Sequence, residues 1–147
     1  MSTSTPFGTV LIGRTERALA AILDRQLEDS GLNTLEWVTL TVLLAGGGNL
    51  HPDQLIGRVA GARKVSETEV QAHISRLAAA QLLDADETEL RITDSGRRLH
   101  GEIQSAIGVI TERLWGDLPA GDLATAGRVL ETVLTRADQE VSSTTHP

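Results

Sequence analysis

Apolar residues recur at helical spacing along most of the chain. Between Phe7 and Asp29, Leu11, Ala18, Leu19, Ile22, Leu23 and Leu27 fall three, four or seven positions apart, which predicts a first helix. Gly31 and Asn33 end it. Asn33 followed by Glu36 suits a helix start, since the Asn side chain can accept a free backbone N–H. The run Leu35 to Ala45 is almost continuously apolar, and its length and cap favour a buried helix over a strand. Gly46, Gly47 and Gly48 stop it. Pro52 opens a short helix to about Val59, because proline fits the first helical turn. Gly61 and Ala62 read as a turn.

Ser66-Glu67-Thr68-Glu69 reads as a capping box, and Val70, Ile74, Leu77 and Ala78 behind it make one apolar face up to about Gln81. Leu90 and Ile92 alternate with Glu89, Arg91 and Thr93, the pattern of a half-buried strand in a small hairpin. A long helix from Thr93 lines up Leu99, Ile103, Ile107, Ile110 and Leu114, and Pro119 breaks it. A last helix, about Ala120 to Val141, carries Leu123, Val129, Leu130, Val133, Leu134 and Ala137 on its apolar face. The fold class read from this order is mainly α with a small β-hairpin. Two short helices before a hairpin make a winged helix-turn-helix lobe over 31–96. Helices over 7–30 and 97–141 form a dimerisation region, because stripes that long bury most simply against a second copy. Segments 1–6 and 142–147 read as a disordered N-terminus and tail.

Composition trims the alternatives. The 147 residues suit about one domain, and 40% apolar with 22% charged residues argues for a folded core. Phe7, Trp37 and Trp115 are the only aromatics, too few for a typical β-sandwich. The absence of Cys excludes disulfides, Cys-zinc sites and thiol sensors. No run approaches the roughly 18–20 apolar residues that cross a bilayer, and Met1 to Thr5 carries no positive charge for a signal peptide. The expectation is a cytoplasmic protein without membrane contact.

The net charge of −7 lies mostly in the ends: residues 51–100 net −1 and the remainder −6. A generic nucleic-acid coat is excluded, while a local binding face is left open. His51, His73, His100 and His146 lack metal-site spacing, so no metal or cofactor is expected. Gly46-Gly47-Gly48 has no following Lys-Ser/Thr, and no acid, base and nucleophile set converges, so no catalytic residue is named and an enzyme is not expected.

Several pieces, in order, resemble the MarR family of transcriptional regulators over about Leu11 to Val141. Leu32-Asn33-Thr34-Leu35-Glu36-Trp37 resembles the start of the family's second helix. His51-Pro52-Asp53-Gln54-Leu55 resembles the first helix of the DNA-binding motif. Val70 through Ile74-Ser75-Arg76-Leu77 resembles the recognition helix, and Leu82-Leu83 the first wing strand. Ile92-Thr93-Asp94-Ser95-Gly96-Arg97 resembles the Leu-Thr-x-x-Gly signature before the fifth helix. Leu118-Pro119-Ala120-Gly121-Asp122-Leu123 resembles the opening of the last helix.

The resemblance implies a homodimer, a repressor by family habit, that reads a pseudo-palindromic operator in double-stranded DNA through two recognition helices. A small aromatic or phenolic effector would release it. The outward residues of the recognition helix are Glu67, Thr68, Gln71, Ala72, His73, Ser75 and Arg76. Gln71 would pair with adenine, and Ser75 or Arg76 would reach phosphate. Arg63 and Lys64, in a loop read as longer than usual, would contact phosphate too. The implied DNA-binding set is Arg63, Lys64, Ser66, Thr68, Gln71, His73, Ser75, Arg76 and Arg91. Arg14, Trp37 and His100 are the implied effector residues. Arg97 or Arg98 would support the wing.

The chain departs from the family at the wing. Only eight residues, Asp84 to Arg91, separate Leu83 from Ile92, and Asp84, Asp86, Glu87 and Glu89 put four carboxylates where the family carries Arg. Carboxylates repel phosphate. The alternative reading is therefore a MarR-fold protein with weakened or lost DNA binding that acts through ligand or protein contacts.

Overall fold

A computed structural model describes residues 4–144. The order is α1 (Thr9–Leu27), α2 (Thr34–Ala45), β1 (Asn49–Leu50), α3 (Pro52–Arg63), α4 (Glu67–Ala79), β2 (Leu83–Ala85), β3 (Leu90–Ile92), α5 (Asp94–Trp115) and α6 (Ala120–Thr144). Two compact units result, Met1–Gly108 and Val109–Pro147.

In the first unit, α2 starts where Asn33 was expected to cap it. The Asn33 side chain accepts from Glu36 N at 2.8 Å, and Glu36 Oε1 accepts from Asn33 N at 3.1 Å, so both halves of the capping box form. Leu40 and Leu43 of α2, Leu55 and Val59 of α3, and Val70, Ile74 and Leu77 of α4 pack into one core with Leu83, Leu90 and Ile92. Each fully buried side chain of this kind contributes about 1.5–3 kcal/mol. Leu27, Trp37 and Ile103 form a smaller cluster with Leu23, Leu99 and Ile107.

The sheet is antiparallel, ordered β1-β3-β2, with Leu83 opposite Ile92, Asp84 opposite Arg91 and Asn49 opposite Arg91 on the other edge. Strand β1 was not expected. It is two residues long, too short for alternation to show. It is set up by Gly47 and Gly48, with φ of 94° and 91°, a backbone that glycine adopts without strain. The Arg97 guanidinium lies where a Cβ on Gly48 would sit, which puts Arg97 against the β1 turn.

The helix-turn-helix differs from expectation in two details. Gly61 and Ala62 are helical: α3 runs on to Arg63, and the chain turns at Lys64, a left-handed residue with φ of 55°. The loop is therefore not a long one. A Cβ on Gly61 would meet nothing, so that glycine marks no close approach. Of the expected box at α4, the Ser66 half is present, Oγ accepting from Glu69 N at 3.1 Å.

Where the wing joins α5, Thr93 Oγ1 donates to Gln81 O at 2.8 Å and accepts from Gly96 N at 3.0 Å. Gly96 is buried, and a Cβ there would stand 2.2 Å from Leu82 O. In the second unit α6 runs to Thr144, so residues 142–144, read as tail, are helical. Residues 4–6 carry no regular structure, and the rest of the two expected disordered segments, 1–3 and 145–147, lies outside the described residues, as does His146.

Candidate nucleic-acid interface

Helix α4 is amphipathic. Val70, Ile74 and Leu77 hold it to the core, while Thr68, Gln71, Ala72, Ser75 and Arg76 are exposed. Thr68 and Gln71 flank a shallow groove of about 420 Å³ closed by Asp53, Ile56 and Glu67. Gln71 thus shares its groove with two carboxylates, Asp53 and Glu67, which suit a base-edge N–H better than a phosphate. Ser75 Oγ donates to Gln71 O at 3.2 Å, so its hydroxyl proton is turned back on the helix. Ser66 is spent on the cap. Arg63 and Lys64 are both exposed at the turn between the two helices.

His73 corrects the outward set. Its side chain is only 17% exposed, and its Nδ1 lies 2.9 Å from Glu36 Oε2. Glu36 is 2% exposed and also takes Arg76 Nη1 at 3.3 Å. A carboxylate only accepts, so His73 Nδ1 must carry the donated proton. That excludes the weaker 3.4 Å approach of Asn33 Nδ2 as a second bond to the same nitrogen. One buried carboxylate therefore caps α2 through Oε1 and holds two α4 side chains through Oε2. Sequence reasoning took Glu36 only as a cap partner. The available signal was a carboxylate at the head of an apolar run, since a charge buried there needs partners. His73, Arg76, Arg63 and Glu69 also line a cleft of about 580 Å³ with Asp24, Glu28 and Asn33, floored by Leu27, Leu32 and Leu35.

The wing is a tight hairpin whose tip is stitched by its own acids. Asp86 Oδ1 accepts from Thr88 N at 2.8 Å, Thr88 Oγ1 at 3.0 Å and Glu89 N at 2.7 Å. The backbone N–H of Thr88, chiefly, holds the Asp86 carboxyl below the usual carboxylate range. Glu89 Oε2 accepts from Arg91 Nη2 at 2.7 Å, and its Oε1 accepts from Asn49 Nδ2. The hydrogen bond to Glu89 raises the Arg91 pKa. Two of the four wing carboxylates are thus consumed locally, and so is Arg91. Asp84 and Glu87 are exposed.

Of the effector residues, Trp37 and His100 come together and Arg14 stands exposed on α1. The Trp37 and His100 rings stack at 4.2 Å with 10° between planes. Thr41 Oγ1 donates to Trp37 O at 2.9 Å, which leaves it to accept from His100 Nε2 at 3.0 Å. Burial holds the His100 pKa below the ordinary imidazole value. Trp37 is 7% exposed, so its ring is chiefly core.

Among the described residues no group of three or more His, Cys, Asp or Glu could hold a metal ion, and no helix is long and apolar enough to cross a membrane. No family model matches the chain, and no curated protein matches it. Solved structures do. A MarR family transcriptional regulator from Streptomyces coelicolor superposes with a TM-score of 0.71 at 20% identity, covering 88% of this chain and 92% of its own. A MarR family protein of Mycobacterium tuberculosis in complex with salicylic acid gives 0.61 at 22% identity, covering 88% and 99%. An organohalide-sensing transcriptional regulator in its 2,4-dichlorophenol-bound form gives 0.70 at 15% identity, covering 88% and 78%. The helix order, the three-stranded wing sheet and these superpositions together give the chain the winged-helix fold of MarR-family transcriptional regulators.

Proposed function

We propose that the chain is a cytoplasmic, homodimeric regulator of the MarR type that binds a pseudo-palindromic operator in double-stranded DNA and acts as a repressor. The observation that carries this is α4: its apolar face is locked against α2 and α3 while Thr68 and Gln71 stand exposed beside a groove. A helix seated in that way can enter a major groove, and a twofold dimer places two of them about 34 Å apart. Gln71 reads adenine, and Arg63, Lys64 and Arg76 attract phosphate. The second copy covers the exposed apolar residues of α6, among them Leu130 at 47% and Leu134 at 61%. A small aromatic or phenolic effector, acting at Arg14, Trp37 and His100, shifts the gap between the two α4 helices. It does so only by preferring one gap over the other.

The test is an anisotropy titration at low salt against the duplex immediately upstream of the chain's own coding sequence. Saturable binding competed poorly by random duplex supports the reading; no binding at low salt, where phosphate attraction is greatest, ends it. The wing favours a second reading, a MarR-fold protein that acts through ligand or protein contacts, because Arg91 is tied to Glu89 and Asp84 and Glu87 face solvent. Absence of DNA binding by a dimer that still takes up an aromatic ligand would select it.

A further inference from the structure

Glu36 is buried, yet two groups that can carry positive charge converge on one of its oxygens, and both come from the helix that faces DNA. The two are unlike. Arg76 is 63% exposed along its side chain and always charged, whereas His73 is 17% exposed and charged only when protonated. We propose that Glu36 restrains Arg76 and that protonation of His73 releases it to phosphate, so that DNA binding is coupled to proton uptake.

While His73 is neutral, Arg76 is the cation that compensates the buried carboxylate. A phosphate must then compete with Glu36 for the guanidinium, and winning it leaves a buried charge short of its partner, which is costly. Once His73 is protonated, the imidazolium compensates Glu36 at 2.9 Å and repels Arg76. Arg76 then swings out at little cost. The direction follows: binding tightens on acidification, as the imidazole gains its charge. The other charged residues that line the cleft with the ring are Asp24 of α1, Glu28 at its C-terminal end, Arg63 of α3 and Glu69 on α4 itself. Asp24 Oδ1 is engaged by Thr34 Oγ1 at 2.8 Å.

The restraint can be removed without removing the cap. In Glu36→Gln the amide oxygen can still accept from Asn33 N, while the amide nitrogen replaces the oxygen that Arg76 contacts. This inference rests on the DNA-binding reading, so the experiment separates the two. Binding to a random-sequence duplex pool is measured by anisotropy across the imidazole range for the full chain and for Glu36→Gln, His73→Gln and Arg76→Ala. The expected results are several-fold tighter binding by the unaltered chain at the acid end and several-fold tighter, flatter binding by Glu36→Gln. His73→Gln loses the acid-dependent part. Arg76→Ala binds weakly at every pH, with a salt slope lower by about one. In Arg76→Ala, adding Glu36→Gln changes little; a persistent gain would mean that only the lost negative charge matters. The chain holds other imidazoles, His51 and His100 among them, so the difference from His73→Gln carries the test.

An unchanged pH profile in His73→Gln, or no gain in Glu36→Gln, overturns the proposal and leaves DNA binding intact. If the unaltered chain binds no duplex, the DNA reading fails, and the exchange of partners is read in the free protein by nitrogen NMR. The Arg76 side-chain signals must then shift in step with the His73 ring, and independent titration overturns the proposal.

Discussion

On the proposed reading Gln71 would contact a base edge and Arg63 a phosphate, and single substitutions separate the two roles. Gln71→Ala should lower affinity for the operator while leaving random duplex unaffected, because it removes a base-edge bond; Arg63→Ala should weaken both alike and lower the salt slope by about one. Parallel anisotropy titrations on both duplexes check this, and equal losses from both variants would refute the two roles. His100 gives a stability prediction. Above its unfolded pKa, about 6.5, both folded and unfolded forms are neutral; as pH falls, the unfolded chain takes the proton first, because burial holds the folded value lower. Stability should therefore fall on acidification, and His100→Asn should lose that part of the dependence in urea unfolding followed over pH. At this scale the sequence was legible where one residue has one local job, as Asn33 and Ser66 do at their helix starts. It was not legible where a group works across the chain. Nothing in the local pattern tells that Glu36 meets a side chain 37 residues away, and so His73 was placed on the outer face.

The helices were readable as elements because each carries an apolar stripe that needs covering, and the stripe repeats over several turns. Strand β1 offered no such repetition, and the end of α3 was hidden because glycine, the usual mark of a turn, sits inside the helix while Lys64 makes the turn. The wing was legible in length but not in the disposition of its acids. Asp86 closes the turn and Glu89 binds Arg91, so the hairpin holds its own cation. Glu89→Gln should weaken that hold. If the wing approaches DNA, the variant should bind duplex more tightly and with a salt slope steeper by about one. If the slope is unchanged, the hairpin tip stays away from phosphate and the protein-contact reading gains.

At the scale of the whole molecule, most of the exposed large apolar side chains among the described residues lie in the second unit. Leu114, Trp115 and Leu118 are 41–50% exposed, and α6 adds Leu123, Val129, Leu130, Val133, Leu134 and Val141. A stripe of that extent invites self-association. Sedimentation of the unaltered chain should give a dimer, and Leu130→Glu should give a monomer that binds DNA far more weakly, since each copy then presents one α4. A monomeric unaltered chain would remove the twofold reader altogether. The exposed stripe itself was legible in the sequence, as more apolar positions than one small core can cover.

The contact at Gly96 reaches further than its size. With Leu82 O where a methyl would go, the joint between α5 and the hairpin has no slack. A helix of 22 residues is about 33 Å long. Any tilt of the first turn of α5 would therefore reach Leu82, the residue that leads from α4 into the wing. Any side chain seated at position 96 would prise helix and hairpin apart.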